Sequence, residues 1–346
     1  MYLNSTIIYP CLKKSACLGG YKNQSEFPVS CSDGYEGILC HTCTLNSTHH
    51  YSWSGATGCG ICPDQTQNII RIVLILFAFI IWIAVLVFFN IWKKRESNFS
   101  ILLRILTNYT QVISTVMSFN ISYPKFIIDT FNPFKDVGQS SEMLVSFDCF
   151  LENTNLNIFN SSKFLFKVFV SAFTPFVLIL LFLFMSLIVK AIFRKFVLLL
   201  RLFVISILTI LFTMYSSTSQ LILSIFNCKQ IEDLTLLERD LHVECWSVSH
   251  MRWAFGFGIP FIILFIFGLP IFGILFLRIK RKHLNDANFM KYFIVMYQGF
   301  WKETYYWEFI NILRKILLVC IHTLLPIKNK FYKAILGFIL LIFFYW

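Results

Sequence analysis

Seven of the eleven cysteines lie before residue 63, and their spacing is compatible with two kinds of chemistry. Two Cys-x-x-Cys pairs, one starting at Cys40 and one at Cys59, could together supply four thiolate ligands to a structural zinc ion. The same cysteines could instead form disulfides, which stabilise small extracellular modules that have little hydrophobic core. The disulfide candidates in this segment are Cys11, Cys17, Cys31, Cys40, Cys43, Cys59 and Cys62.

The residues around these cysteines favour disulfides over zinc. In the stretch CSDGYEGILCHTC, glycines stand where the chain can reverse tightly before a cysteine that fixes the turn. This turn resembles that of EGF-like modules, and the further cysteine after Cys40 resembles the laminin-type variant. Because seven is an odd number, we expect one cysteine to pair with a partner upstream. Glycosylation sequons, which indicate a secretory compartment, begin at Asn4, Asn23, Asn46 and Asn160.

Charged residues interrupt an apolar stretch near the C-terminus, YYWEFINILRKILLVCI. A charge at the centre of a bilayer costs roughly 2.5–3.5 kcal/mol on insertion scales, so Glu308, Arg314 and Lys315 need an explanation. The first interpretation is an anchor in which the long side chains reach back to the headgroups. The alternative is a charge contact with another helix, related to gating. Glu308 and Lys315 are seven residues apart and therefore share a helical face.

A second polar set lies in residues 101–120, where side chains that form hydrogen bonds recur every three or four positions. This spacing places them on one face of a helix, which should contact protein or water and not lipid. Hydrogen bonding between helices and a permeation path are both compatible with such a face. The members are Asn108, Gln111, Thr115 and Ser118.

The elements that must position these residues are membrane helices. The chain is 57% hydrophobic and 14% charged, with a mean hydropathy of +0.68, whereas soluble domains are about 25% charged. We predict an all-α polytopic transmembrane helix bundle, residues 67–346, behind a small disulfide-rich extracellular module, residues 1–66. Residues 284–304 are predicted to form an interfacial amphipathic helix. The seven predicted spans, the last of them truncated, are about 68–92, 101–120, 164–192, 196–227, 253–277, 307–325 and 332–346.

The distribution of charge predicts the orientation of the chain. KKRE follows the first span directly, and the positive-inside rule therefore places the N-terminus on the extracellular or lumenal side. The net charge of +12 comes from Lys and Arg at the ends of apolar runs, which argues against nucleic-acid binding. Between Cys228 and Cys245, which could form a disulfide, five acidic residues indicate a solvated loop, a cation-attracting vestibule or a calcium site.

No catalytic constellation is evident in the sequence. It contains no GxGxxG, Walker, HExxH or nucleophile-elbow motif. His250, His283 and His322 are isolated and have no partner at metal-ligand spacing. We therefore predict that the protein is not an enzyme and that it binds no cofactor or metal.

Several stretches together resemble a group of multi-pass surface proteins from ciliates and oomycetes, related to regions called TRP-like or polycystin-like. The matching pieces are LLRILTNYTQVIS, SFDC, LERDLHVECWSVSH and QGFWKETYYWEFINILRK. The resemblance implies a large surface protein with a C-terminal multi-span region, of which this chain is a fragment. The C-terminus stops inside an apolar run, which agrees with that expectation.

These observations lead to two principal hypotheses about function. The first is a TRP- or polycystin-like cation channel or sensor, with the lipid bilayer and an extracellular ion or ligand as partners. The alternative is a surface adhesion or receptor protein, whose spans mainly anchor the Cys-rich head. A transporter would predict inverted repeats, which are not evident.

Overall fold

Long apolar helices dominate the computed structural model. Among the described residues, the long helices before residue 224 are α1 (Gln65–Trp92), α2 (Asn98–Met117), α3 (Lys163–Phe193) and α4 (Phe196–Leu223). Those after it are α5 (Val248–Ile279), α6 (Ala287–Phe293), α7 (Trp307–Leu324) and α8 (Lys330–Phe343). The structure describes residues 11, 14–18, 31–44, 51–54, 58–62, 64–92, 98–117, 124, 126, 130, 149, 162–193, 196–231, 233–297, 299–301, 303–325 and 330–344.

Four described helical segments are long and apolar enough to cross a membrane: Gln65–Phe89, Lys163–Ile188, Leu200–Phe226 and Val248–Ile279. The other three predicted spans are helical, as α2, α7 and α8, but they do not belong to this set. Polar side chains lower the hydropathy of α2, three charges interrupt α7, and α8 has 14 residues. The predicted helical membrane protein is therefore confirmed in its coarse form, with four candidate spans in place of seven.

Alongside the helices, seven short strands in the described part of the chain form three antiparallel sheets. The first pairs β1 (Tyr35–Glu36) with β2 (Thr42–Cys43), and the second pairs β3 (Tyr51–Ser54) with β4 (Gly58–Ile61). The third sheet has the order β5-β6-β7, from Cys228–Ile231, Leu234–Leu237 and Asp240–Glu244. The region predicted as an acidic loop is thus a small sheet with buried apolar side chains.

The chain divides into two compact units, neither of which is continuous in sequence. The disulfide unit comprises Met1–Leu76, Glu142–Lys167 and Ile225–Gly256. The helical unit comprises Phe77–Ser141, Val168–Ser224 and Phe257–Trp346. The sequence suggested a boundary near residue 66, whereas the disulfide unit also takes in segments from two later parts of the chain.

The helix α5 is irregular around its prolines. Two π-helical stretches, Ala254–Gly258 and Ile262–Phe267, interrupt it. Pro270 has no N–H, so it cannot donate to the carbonyl of Ile266 four residues earlier. The buried hydroxyl of Tyr215 on α4 donates to that carbonyl instead. Pro270 thus creates an unused acceptor in α5, and Tyr215 satisfies it.

The core of the helical unit contains a close helix–helix contact between α5 and α7. Phe309, which is 1% exposed, packs in one cluster with Ile266, Leu277 and Ile312. A Cβ atom added at Gly273 on α5 would overlap the Phe309 ring. Glycine at this position therefore lets the two helices approach closely enough to bury the ring.

Candidate functional site

The described cysteines form five disulfides: Cys11–Cys17, Cys31–Cys40, Cys43–Cys59, Cys62–Cys149 and Cys228–Cys245. The four cysteines of the zinc alternative are shared among three different bridges, so they do not form a four-thiolate site. The odd cysteine of the N-terminal segment is Cys62, and its partner is Cys149. We expected that partner upstream, but it lies downstream of α2.

One disulfide connects the N-terminal head to a later part of the chain, and apolar packing connects the head to another. Ile38 and Leu39 of the head pack against a cluster formed by Ile231, Leu236 and Leu241 of the third sheet. The Cys62–Cys149 bridge, with Cα atoms 5.7 Å apart, joins the end of the head to the segment that contains Cys149. The disulfide unit is therefore built from three chain segments that are far apart in sequence.

His41 lies at this contact between the head and the third sheet. Burial lowers the pKa of its imidazole below the ordinary value, and the positive charge of Arg239 acts in the same direction. A hydrogen bond with the backbone of Glu238 opposes this shift without reversing it. Protonation of His41 is therefore expected to weaken the packing of the head on the sheet.

The acidic residues of the third sheet serve partly as internal hydrogen-bond acceptors. Asp240 accepts from the Ser162 hydroxyl and from the His242 backbone N–H, and Glu238 accepts from the Asn227 amide. Among residues that the structure describes, no set of three carboxylates converges closely enough to hold a metal ion. The carboxylates of Asp240 and Glu238 are therefore not merely solvated, because their hydrogen bonds stabilise the fold of this region.

His250 lies with the Cys228 and Cys245 sulfurs in a compact group of potential metal ligands. The two sulfurs are bonded to each other and so cannot act as thiolates. The ring of His250 is fully buried; Nδ1 accepts from the Trp246 N–H at 3.2 Å, and Nε2 lies 3.0 Å from the Ile225 carbonyl oxygen. Both ring nitrogens are occupied, so His250 has a structural role.

The charged residues of α7 contact α2 within the helical unit. Glu308 Oε2 lies 3.3 Å from Arg104 Nη2. The ammonium group of Lys315 donates to Asn108 Oδ1 and to Gln111 Oε1, each at 2.6 Å. Glu308 and Lys315 are 4% and 5% exposed. The anchor interpretation is therefore wrong for Lys315, which reaches the amide oxygens of α2 and does not extend toward the headgroups.

The polar face of α2 supplies all of these partners and extends to further elements. Gln111 Nε2 donates to the Thr213 carbonyl of α4 at 2.8 Å. Arg104 Nη2 also donates to the Val295 carbonyl at 2.9 Å, and its guanidinium lies 5.6 Å from the centre of the Phe300 ring. Arg104 was not among the predicted site residues, although it precedes Asn108 by four residues and so lies on the same face of α2.

A small pocket of about 60 Å³ opens beside the Arg104–Glu308 pair. Thr209 contributes a hydroxyl that is buried and, among the described residues, has no hydrogen-bond partner. The pocket has room for a few water molecules, which such a hydroxyl would favour. The polar residues that line it are Arg104, Thr107, Asn108, Thr209, Thr213 and Glu308. We refer to this pocket, together with Gln111 and Lys315, as the polar cluster.

Some predicted site residues lie outside this cluster. Arg314 is half-buried, and its Nε atom has no hydrogen-bond partner within the described part of the chain. The four sequons, at Asn4, Asn23, Asn46 and Asn160, lie outside the described residues. The charge of Arg314 interacts favourably with that of Glu308 on the same helix.

Comparisons with known proteins give a limited likeness. No family model and no solved structure matches the chain. It is 24% identical over 371 aligned positions to "Cysteine repeat modular protein A" of Toxoplasma gondii, with 87% of this chain and 12% of that protein covered. The chain thus spans 12% of the length of this relative. The likeness agrees with the cysteine-rich head, and the resemblance to TRP- and polycystin-like proteins gains no support. The chain is a helical membrane protein that carries a cysteine-rich, disulfide-bonded module.

Proposed function

We propose that the protein is a membrane-anchored surface protein whose disulfide unit binds an extracellular partner. One observation carries the proposal: the disulfide unit joins the head to two later segments through Cys62–Cys149 and a shared apolar core. Such a unit presents a rigid surface, and rigidity lowers the entropy lost when a partner binds. The coarse resemblance to a cysteine-repeat protein also supports this function over a channel.

The head carries two exposed apolar side chains, which we propose as contacts for the partner. Leu18 is 66% exposed and Ile61 is 61% exposed. Large exposed apolar side chains lose contact with water when a partner covers them, which favours binding. The proposal involves no catalysis and requires the bilayer only as an anchor.

An attachment assay tests this function. Cells that display the full chain are added to fixed monolayers of cultured epithelial cells, and retained cells are counted after washing. We expect more attachment than with mock-transfected cells, and a loss of attachment in the variant Leu18→Glu with Ile61→Glu. A matched control is Cys320→Ser, which changes the free thiol on α7 and should leave attachment unchanged. Attachment no better than mock at equal surface display would refute the proposal.

A cation channel is the second candidate, and one observation favours it: the polar cluster forms a pocket among the helices of the helical unit. Its charge balance is unfavourable for cations, because Arg104 and Lys315 outnumber Glu308 and would repel a cation. Whole-cell recording from the same cells distinguishes the two functions. A cation current above mock that Glu308→Gln alters would support the channel and count against an anchor.

A further inference from the structure

The largest cluster of positive charge in the chain, RIKRKH, begins at Arg278 in the last turn of α5. We refer to residues 278–283 as the basic turn. All six side chains are exposed, including those of Arg278, Lys280, Arg281 and Lys282. A run of this kind is often a solvated surface with no fixed conformation.

The backbone of the basic turn is fixed by consecutive hydrogen bonds. The N–H of Lys280 donates to the Phe276 carbonyl at 3.0 Å, and the N–H of His283 donates to the Lys280 carbonyl at 2.8 Å. The N–H of Asp286 then donates to the His283 carbonyl at 3.0 Å. The cationic side chains therefore project from a defined turn and not from a loose linker.

Packing on both sides holds this turn in place. Leu284, which follows it, is 8% exposed and belongs to the core cluster of the helical unit. The Tyr297 hydroxyl donates to the Leu284 carbonyl at 3.0 Å. Burial raises the pKa of Tyr297 to about 12, so the hydroxyl keeps its proton over the physiological range. Arg281 lies 6.0 Å from the centre of the Tyr305 ring.

Apolar and aromatic side chains accompany the charges. Ile279, inside the basic turn, is 77% exposed, and Trp301, four residues before Tyr305, is 86% exposed. Exposed Trp and aliphatic side chains beside cations are typical of a surface in contact with the headgroup region of a bilayer. A soluble anion would contact the cations but not these apolar side chains. Asp286, which pairs with His283 at 2.8 Å, supplies a nearby anion, and so does exposed Glu303.

We propose that the basic turn is a binding site for the phosphate-bearing headgroups of anionic lipids in the adjoining leaflet. The cations of the turn contact the phosphates, while Ile279 and Trp301 insert at the level of the headgroups. Fixed geometry distinguishes this site from a general attraction between a polybasic linker and a negative membrane. The site is independent of the function proposed for the disulfide unit.

The test uses the full chain in nanodiscs of phosphatidylcholine with a minor fraction of a fluorescent phosphatidylinositol phosphate, and it measures lipid binding to the protein. The turn variant combines Arg278→Gln, Lys280→Gln and Lys282→Gln. A control variant removes three exposed cations of the disulfide unit, through Arg71→Gln, Lys163→Gln and Arg252→Gln. Arg281 is left unchanged because of its contact with Tyr305.

Near a membrane surface, each Lys or Arg contributes roughly a fivefold gain in affinity, so three contribute on the order of 100-fold. We expect the turn variant to lose lipid binding by about this factor and the control variant to keep it. Equal losses in both variants, or no loss in the turn variant, would overturn the proposal. Displacement of the lipid by millimolar inorganic phosphate would also overturn it, because the ligand would then be a soluble anion. Thermal unfolding of each variant checks that the protein is still folded.

Discussion

The substitution Arg104→Met removes the cation that faces Glu308 within the polar cluster. The two side chains are 18% and 5% exposed, and their charged atoms are 3.3 Å apart. Without Arg104, the carboxylate would stay buried and lose its closest positive charge. Removal of one partner from a buried ion pair costs roughly 3–5 kcal/mol. Lys315 offsets part of this cost, because its charge also interacts with Glu308. We therefore expect a loss near 3 kcal/mol, at the lower end of that range.

The double variant Arg104→Met with Glu308→Leu replaces both charges by apolar groups. Replacement of a buried ion pair by apolar side chains is often close to neutral, because no charge remains to be desolvated. The hydrogen bond from Arg104 to the Val295 carbonyl is lost in both variants and cancels in the comparison. The double variant should therefore be more stable than Arg104→Met alone by roughly 2 kcal/mol or more.

Thermal unfolding in detergent, followed by size-exclusion chromatography of heated samples, measures these differences. The single variant should lose on the order of 10 °C in Tm, and the double variant should recover most of that loss. Arg252→Met on α5 is a control, because the side chain of Arg252 is exposed and lies outside the polar cluster. It should change Tm little. If the effects of Arg104→Met and Glu308→Leu simply add, the two side chains do not stabilise each other and the reasoning fails.

Three further predictions concern other contacts. Gly273→Ala should destabilise the helical unit by roughly 1–3 kcal/mol, because the added Cβ atom would overlap the Phe309 ring of α7. Gly256→Ala is the control: a Cβ atom there has open space around it, so this variant should leave Tm unchanged in the same unfolding assay. Tyr215→Phe should lower the free energy of unfolding by about 1–3 kcal/mol, because the buried Ile266 carbonyl of α5 loses its hydroxyl donor. Pro270→Ala restores a backbone N–H, so the loss caused by Tyr215→Phe should be smaller in that background. Equal losses of Tm in both backgrounds would contradict this prediction. The pKa of His41 is lowered in the folded protein, so the unfolded state binds more protons, and the disulfide unit should lose stability as pH falls below about 6.5. Protease resistance measured against pH should show this loss, and His41→Gln should flatten the profile.

The sequence predicted that the head cysteines form disulfides but not which of them pair. Spacing alone allowed a zinc site as well as many disulfide connectivities, and it suggested a missing partner upstream. The Cys62–Cys149 bridge joins residues 87 positions apart, with α1 and α2 between them. The folded backbone brings such distant cysteines close together, and the residues around each cysteine do not indicate which partner it has.

For the charged residues of α7, too, the sequence predicted the helical face but not the partner. Its amphipathic spacing indicated that Glu308 and Lys315 share a face, and the spacing of Asn108 and Gln111 indicated a polar face on α2. The sequence could not specify that these two faces meet, because helical periodicity fixes the direction of a side chain relative to its own axis and not the neighbouring helix. The anchor interpretation for Lys315 was wrong for this reason.

What the sequence by itself determined is the class of the protein: apolar runs long enough for membrane helices, and a cysteine-rich head suited to an oxidising compartment. Both properties depend on composition and on residue patterns within a single segment. For the membrane helices, the free energy of transfer into lipid depends on the length and apolar content of that segment alone. The tertiary structure alone decided the partners: Cys149 for Cys62, the third sheet for the head, and Arg104 for Glu308. Partners of this kind come from distant segments, and the packing of buried side chains is what selects them.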